Sequence, residues 1–246
     1  MIALDSLRMA VGTLTALPVP APRVIDRRVA GRAMLLAPVA AVPLAAPAGL
    51  VMWGADAAGL PRLAAAGLAV GAVALGNRGL HLDGLADTAD GLGASYDRER
   101  ALEIMRRGDS GPTGVAALVL VLIVQCGALA AAGAVAGVVA VIAGRCVLSL
   151  CCARGVPSAR PEGLGATVAG SVGIPWAAGV FVVAAGLSSL APGYTWWRGP
   201  VAVALGYLVA GLLLWRCTRR LGGITGDVLG ACVEAATAAT LVALAA

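Results

Sequence analysis

The 246-residue chain contains no lysine and a single histidine, His81. Charged side chains make up only 13% of it and hydrophobic ones 60%, with a mean hydropathy of +0.91. So little charge excludes a water-soluble globule: polar groups could not cover its surface, and lipid has to solvate much of the chain. With lysine absent, the net charge of +5 rests on arginine alone, whose planar, permanently charged fork suits phosphate. The six cysteines (Cys126, Cys146, Cys151, Cys152, Cys217 and Cys232) lie in or at the ends of apolar segments. They lack metal-ligand spacing, which excludes a cysteine-held zinc site and a disulfide scaffold and leaves small buried hydrophobes.

What the chain does have is apolar length. The opening "MIALDSLRMAVGTLTALPVP" is broken by Asp5 and Arg8, so it lacks the uninterrupted core of a signal peptide. Leu4, Leu7, Val11 and Leu14 recur at helical spacing opposite Asp5, Arg8, Gly12 and Thr15, which predicts an amphipathic interfacial helix over 1–20. Seven stretches of membrane-crossing length follow, at roughly 32–53, 62–80, 112–132, 135–153, 173–191, 199–217 and 227–246. Pro38, Pro43 and Pro47 predict a kink in the first, and Gly133 marks a tight turn between the third and fourth. The fold expected is therefore an all-α integral membrane protein, one polytopic domain over 1–246, with about seven transmembrane helices behind an interfacial one.

Arginine orients the bundle. Arg8, Arg23, Arg27, Arg28 and Arg32 precede or open the first span, and Arg98, Arg100, Arg106 and Arg107 lie between the second and third. Arg154 and Arg160 follow the fourth span, and Arg216, Arg219 and Arg220 follow or close the sixth. The opposite loops hold only Arg62 and Arg198. The positive-inside rule then puts the N-terminus in the cytoplasm, with the segment 81–111 as a cytoplasmic catalytic loop.

That loop opens on "HLDGLADTADG", residues 81–91, where Asp83, Asp87 and Asp90 gather in an otherwise apolar chain. On a helix they fall within an arc of about 60°. Carboxylates so placed repel one another, and a hard divalent cation shared with a substrate phosphate relieves the repulsion, which suggests Mg²⁺. Asp227, at the start of the last span in "LGGITGDVLGACVE", is a further candidate ligand. The competing reading is a solvated acidic loop paired with Arg78, Arg98 and Arg100. His81 and Asp90 are candidates for the base that handles a substrate proton. Arg106, in the charged stretch "YDRERALEIMRRGDSGPTG", belongs either to a surface helix or to a lid that reaches phosphate.

Arg145 stands inside the fourth span, where an arginine costs roughly 2.5–3.5 kcal/mol unless partnered. It is read as facing a polar cavity, bound to a carboxylate or a phosphate. Glu234 lies about 10 Å below Asp227 by helix rise and is its natural partner in a polar interior. Arg160, in the Gly-rich "ARPEGLG", is a third phosphate candidate.

"HLDGLADTADG", "RERALEIMRRGDSGPTG", "ARPEGLG" and "GGITGDVLGA", in this order and preceded by "LTALPVP", resemble the signature stretches of the cobalamin-5′-phosphate synthase family, the adenosylcobinamide-GDP ribazoletransferases. The resemblance covers most of the chain. It implies a Mg²⁺-dependent enzyme of the bacterial cytoplasmic (inner) membrane that joins α-ribazole or its 5′-phosphate to adenosylcobinamide-GDP and releases GMP. Its partners would then be those small molecules and the lipid bilayer, with no nucleic acid, and a homo-oligomer is compatible with the pattern. Two other classes stay open on the residues alone. A CDP-alcohol phosphotransferase also uses a membrane aspartate cluster, but no arginine follows "DGLAD" at the offset it needs. A cation transporter would place its aspartates near the membrane midplane rather than at the mouth.

Overall fold

The computed structural model describes residues 2–246. Its helices are α1 (Ile2–Leu14), α2 (Arg27–Leu35), α3 (Ala37–Ala40), α4 (Val42–Ala57), α5 (Arg62–Gly76), α6 (Leu80–Ala94), α7 (Arg98–Ile104), α8 (Pro112–Ala132), α9 (Ala134–Cys151), α10 (Gly163–Val168), α11 (Ile174–Ser188), α12 (Arg198–Leu221) and α13 (Gly226–Ala245). Among the described residues the only extended pairings are two isolated bridges, Ala153 with Val172 and Ser158 with Ile224.

Among the described residues five segments are long and apolar enough to cross a bilayer: Ala37–Ala57, Pro112–Ala132, Ala134–Cys151, Arg198–Leu221 and Gly226–Ala245. Counting α5 and α6 together as one bent span makes six. The expectation of seven differs for two physical reasons. The stretch 62–80 does not run straight through, because Arg78 (φ 60°) and Gly79 (φ 69°) turn the backbone and α6 leaves α5 at 90°. α5 and α11, with 15 residues each, rise only about 22 Å, short of a bilayer's roughly 30 Å core. The segment 81–111, expected as a loop, is largely helical, comprising α6 and α7. Where the sequence predicts a kink, the stretch is broken into α2, α3 and α4, with Pro38 and Pro43 in the first turns of α3 and α4, while Pro47 is accommodated inside α4. Gly133 (φ 84°) is the whole connection between α8 and α9.

α1 is amphipathic with its polar face turned inward. Asp5, Ser6, Met9 and Ala10 are buried against α2 and α3, while Leu4 and Leu7 point outward. Asp5 accepts the backbone N–H of Arg23 at 3.1 Å and pairs with Arg8 at 3.5 Å. Much of the outer surface elsewhere is likewise apolar, including Leu50, Trp53, Leu68, Ile123, Val182, Leu208 and Leu212.

The centre of the bundle is α13, which packs on α6, α8, α9 and α12. Without a hydrophobic drive between helices in lipid, close packing of small residues has to supply the adhesion. Gly144 of α9 lies against Thr237 and the Val233 carbonyl, and Gly206 of α12 lies against Thr240 and the Ala236 carbonyl. We expect Gly144→Val to destabilise the bundle by about 1–3 kcal/mol through overpacking, seen as a lower thermal midpoint in detergent. Gly127→Val, where an added side chain meets open space, should leave the midpoint unchanged.

Candidate active site

The site is built where α6 crosses the first turn of α13. Gly84 faces the backbone of Asp227, and a Cβ at 84 would stand 2.6 Å from the Asp227 carbonyl oxygen. At the next contact Gly230 of α13 faces the backbone of His81, with 3.0 Å for a Cβ. These two glycines let the helices approach nearly backbone to backbone. The approach brings Asp83 and Asp87 of α6 together with Asp227 of α13. Asp83 is exposed, Asp87 is buried and Asp227 is half-buried. Asp83, Asp90 and Asp227 all act electrostatically on Asp87, and Arg160 is the opposing charge.

Thr225 caps α13: its Oγ1 accepts the Val228 N–H at 3.2 Å and donates to Asp227 Oδ2 at 3.1 Å. Arg160 Nη1 stands 3.6 Å from the same Asp227 oxygen, while its Nη2 donates to the Leu102 carbonyl at 2.9 Å. The two motifs "ARPEGLG" and "GGITGD" are bound to each other through the backbone. The Ala159 N–H donates to the Ile224 carbonyl, and the Ile224 N–H to the Pro157 carbonyl, both at 2.9 Å.

α7 is docked. Arg98 donates to the Leu221 carbonyl at the end of α12 (2.8 Å) and to the Ala159 carbonyl (3.0 Å). Arg106 reaches Glu162 at 3.7 Å across the rim, with both side chains exposed. Glu103 accepts from Arg100 and Arg107, and these bonds hold its carboxyl below the usual range. The loops that carry arginine and aspartate therefore meet at one end of the bundle.

Asp90, read from the sequence as a metal ligand and as a candidate base, has another task. Its Oδ2 accepts the Gly111 N–H at 2.6 Å and its Oδ1 the Gly114 N–H at 2.8 Å. Both oxygens are thus engaged at the N-terminus of α8, where a carboxylate meets free N–H groups and the positive end of the helix dipole. Side chains at 111 or 114 would collide with that carboxylate, which accounts for the second and third glycines of "GDSGPTG".

Arg145 is also placed differently. It is fully buried beneath the cleft, and its Nη2 lies 3.2 Å from His81 Nδ1. The Asn77 amide nitrogen approaches the same Nδ1 at 3.3 Å. Two donors on Nδ1 make it the acceptor, so the ring is neutral with its hydrogen on Nε2. Glu234 Oε1 stands 3.8 Å from Nδ1, and its Oε2 accepts from Gln125 at 2.8 Å. The polar interior expected of Arg145 and Glu234 is present, then, but the two are linked through His81 instead of paired directly. Asn77, Gln125, Arg145 and Glu234 line a small space of about 30 Å³, enough for a water. Asn77 and Gln125 escaped the sequence reading, although each is the only residue of its type in the chain.

Among the described residues no three His, Cys, Asp or Glu side chains converge into a preformed metal cage. Asp83, Asp87 and Asp227 instead form an open, all-oxygen group with Arg160 beside it. Mg²⁺ is usually held by one or two carboxylates with water and substrate phosphates completing the octahedron, a donor set this group could supply without all three converging.

Comparison with known proteins agrees with the motifs. The family model described as cobalamin-5-phosphate synthase matches residues 6–245. An adenosylcobinamide-GDP ribazoletransferase of a Nocardioides species is 49% identical over 249 residues, covering 98% of this chain and 99% of that protein. Proteins of the same name from Frankia casuarinae and Pseudomonas paraeruginosa are each 40% identical, over 97% and 99% of this chain and 93% and 98% of their own length. No solved structure matches the chain.

Assigning Asp90 to the α8 cap has a measurable consequence. Asp90→Ala should cost about 0.5–2 kcal/mol, as loss of a helix cap does, and lower the thermal midpoint. Asp90→Asn keeps one acceptor oxygen and should lose less. An unchanged midpoint in Asp90→Ala would remove the assignment.

Proposed function

The chain belongs to the cobalamin-5-phosphate synthase family, and from that membership we infer that it is an adenosylcobinamide-GDP ribazoletransferase, the enzyme that completes the nucleotide loop of cobalamin. It joins α-ribazole or its 5′-phosphate to adenosylcobinamide-GDP. The ribose 3′-hydroxyl attacks the phosphorus that carries the corrinoid, a new P–O bond forms, the bond to GMP breaks, and the hydroxyl proton is lost.

The observation that carries the mechanism is the meeting of Asp83, Asp87 and Asp227 from two helices beside Arg160. We propose that these three carboxylates hold Mg²⁺ against the donor's pyrophosphate. When bound, the ion supplies charge neutralisation on the phosphoryl oxygens and on the departing GMP. Arg160, fixed by Asp227 and the Leu102 carbonyl, offers its guanidinium to the same oxygens without needing to reorganise. Arg106, exposed at the rim, would meet a phosphate as the donor enters. Arg145 acts on substrate through His81, whose Nε2–H donates to the acceptor. A carboxylate of the Asp83–Asp87–Asp227 group takes the hydroxyl proton, because both oxygens of Asp90 are already bonded.

We further propose that this end of the bundle faces the cytoplasm of a bacterial inner membrane. The arginines of α2 and α7, those at the C-terminal end of α12 (Arg216, Arg219 and Arg220) and those of the loop at 154–160 belong to this end, in line with the positive-inside rule, while Arg198 lies at the other. Soluble substrates would then meet the site directly.

Asp83→Asn and Asp87→Asn should each abolish GMP release by purified, reconstituted protein supplied with Mg²⁺, while still inserting and running as a single species in detergent. Normal turnover in either variant would remove the metal assignment.

A further inference from the structure

Arg160 and Asp227 also line a cavity of about 260 Å³ that Asp83 and Asp87 do not line. Ordinary ligand pockets run from roughly 300 to 1,000 Å³, so this one is at the small end. It has room for a nucleoside-sized molecule and none for a corrin macrocycle carrying a nucleotide.

Its lining is divided. One side is apolar and well buried: Leu14 from α1, Met34 from α2, Leu148 from α9 and Leu229 from α13. The other side carries His81, Arg160, Thr225 and Asp227. Leu164 of α10 and the bare backbone at Gly163 and Gly226 close the rim between them. Arg160 and Asp227 belong to both compartments. Whatever polar group sits against them inside the cavity therefore stands next to the pyrophosphate held by the aspartates.

We propose that this cavity is the acceptor site, and that it takes an α-riboside with an apolar, benzimidazole-type base. The fused rings lie against Leu14, Met34, Leu148 and Leu229, where two-ring apolar area is taken out of water. The ribose hydroxyls lie against Asp227, Thr225 and the Nε2–H of His81. The attacking hydroxyl thereby faces the donor phosphorus across the Arg160–Asp227 pair, and the corrinoid stays outside, over exposed Asp83. The proposal rests on the transferase reading given above.

Two measurements on the full chain in detergent separate them: equilibrium binding of labelled α-ribazole without donor, and the KM of each substrate in the transfer assay. Wild-type protein should bind α-ribazole with no donor present, and more tightly than a riboside with a polar purine base. Leu164→Asn should weaken that binding and raise the riboside KM by about tenfold, the usual scale for a small change in an apolar pocket. The KM for adenosylcobinamide-GDP should stay where it is, and Leu164→Met should restore binding. A rise confined to the donor KM, or wild-type protein that binds α-ribazole only once donor is present, overturns the assignment of the cavity. Binding of α-ribazole without any transfer to the donor upholds the cavity and overturns the transferase reading instead.

Discussion

Everything at the polar end of this bundle depends on how closely α6 and α13 cross. Gly84 against Asp227 and Gly230 against His81 leave no room for side chains. A β-carbon at either position would push the helices apart and separate Asp87 from Asp227. The contact also positions what lies beyond it. It holds the α13 N-terminus where Thr225 can cap it, and it puts Asp227 within reach of Arg160. Arg160 in turn ties α7 to the site through the Leu102 carbonyl. Glycine at these positions is a steric requirement of the site; neither residue has a positive φ.

Beneath the site the chain keeps a group of polar side chains that lipid alone would disfavour. Arg145, His81, Glu234, Gln125 and Asn77 are all buried, and intramembrane ionisable groups are costly unless they serve one another. Here they do: Gln125 holds Glu234, while Arg145 and Asn77 hold His81. Buried ion pairs often add little net stability, because desolvation offsets the attraction. Their contribution here is one of orientation, in that Arg145 and Asn77 fix which nitrogen of His81 carries the hydrogen on the side facing the cavity. Removing one member would leave another charged or polar group buried without a partner.

Much of this was legible in the residues. Helical register put Asp83 and Asp87 one turn apart on α6, and arginine placement brought the companion motifs to the same end. Three things were not legible, for different reasons. Hydropathy sees apolar length but not direction, so the turn at Arg78–Gly79 stayed hidden inside an apparently continuous span. The bond from Asp90 to Gly111 and Gly114 joins residues more than twenty apart in the chain, and register on α6 alone cannot separate a capping carboxylate from a ligand. The Arg145–Glu234 pairing was reasonable by depth, but His81, entering from α6 through the glycine-permitted crossing, intervenes. The lone asparagine and the lone glutamine were the available signal for that interior, since an isolated amide in an apolar span needs a partner.

The central claim is that carboxylates from two helices jointly hold one divalent cation on the donor's pyrophosphate. Electron paramagnetic resonance of Mn²⁺, used as a Mg²⁺ substitute with the purified chain and a GDP-bearing ligand, tests it most directly. The account predicts a protein-bound Mn²⁺ signal that is lost in Asp87→Asn and in Asp227→Asn alike, one from each helix, and retained in Asp90→Asn. A bound signal that survives both Asp87→Asn and Asp227→Asn would contradict it.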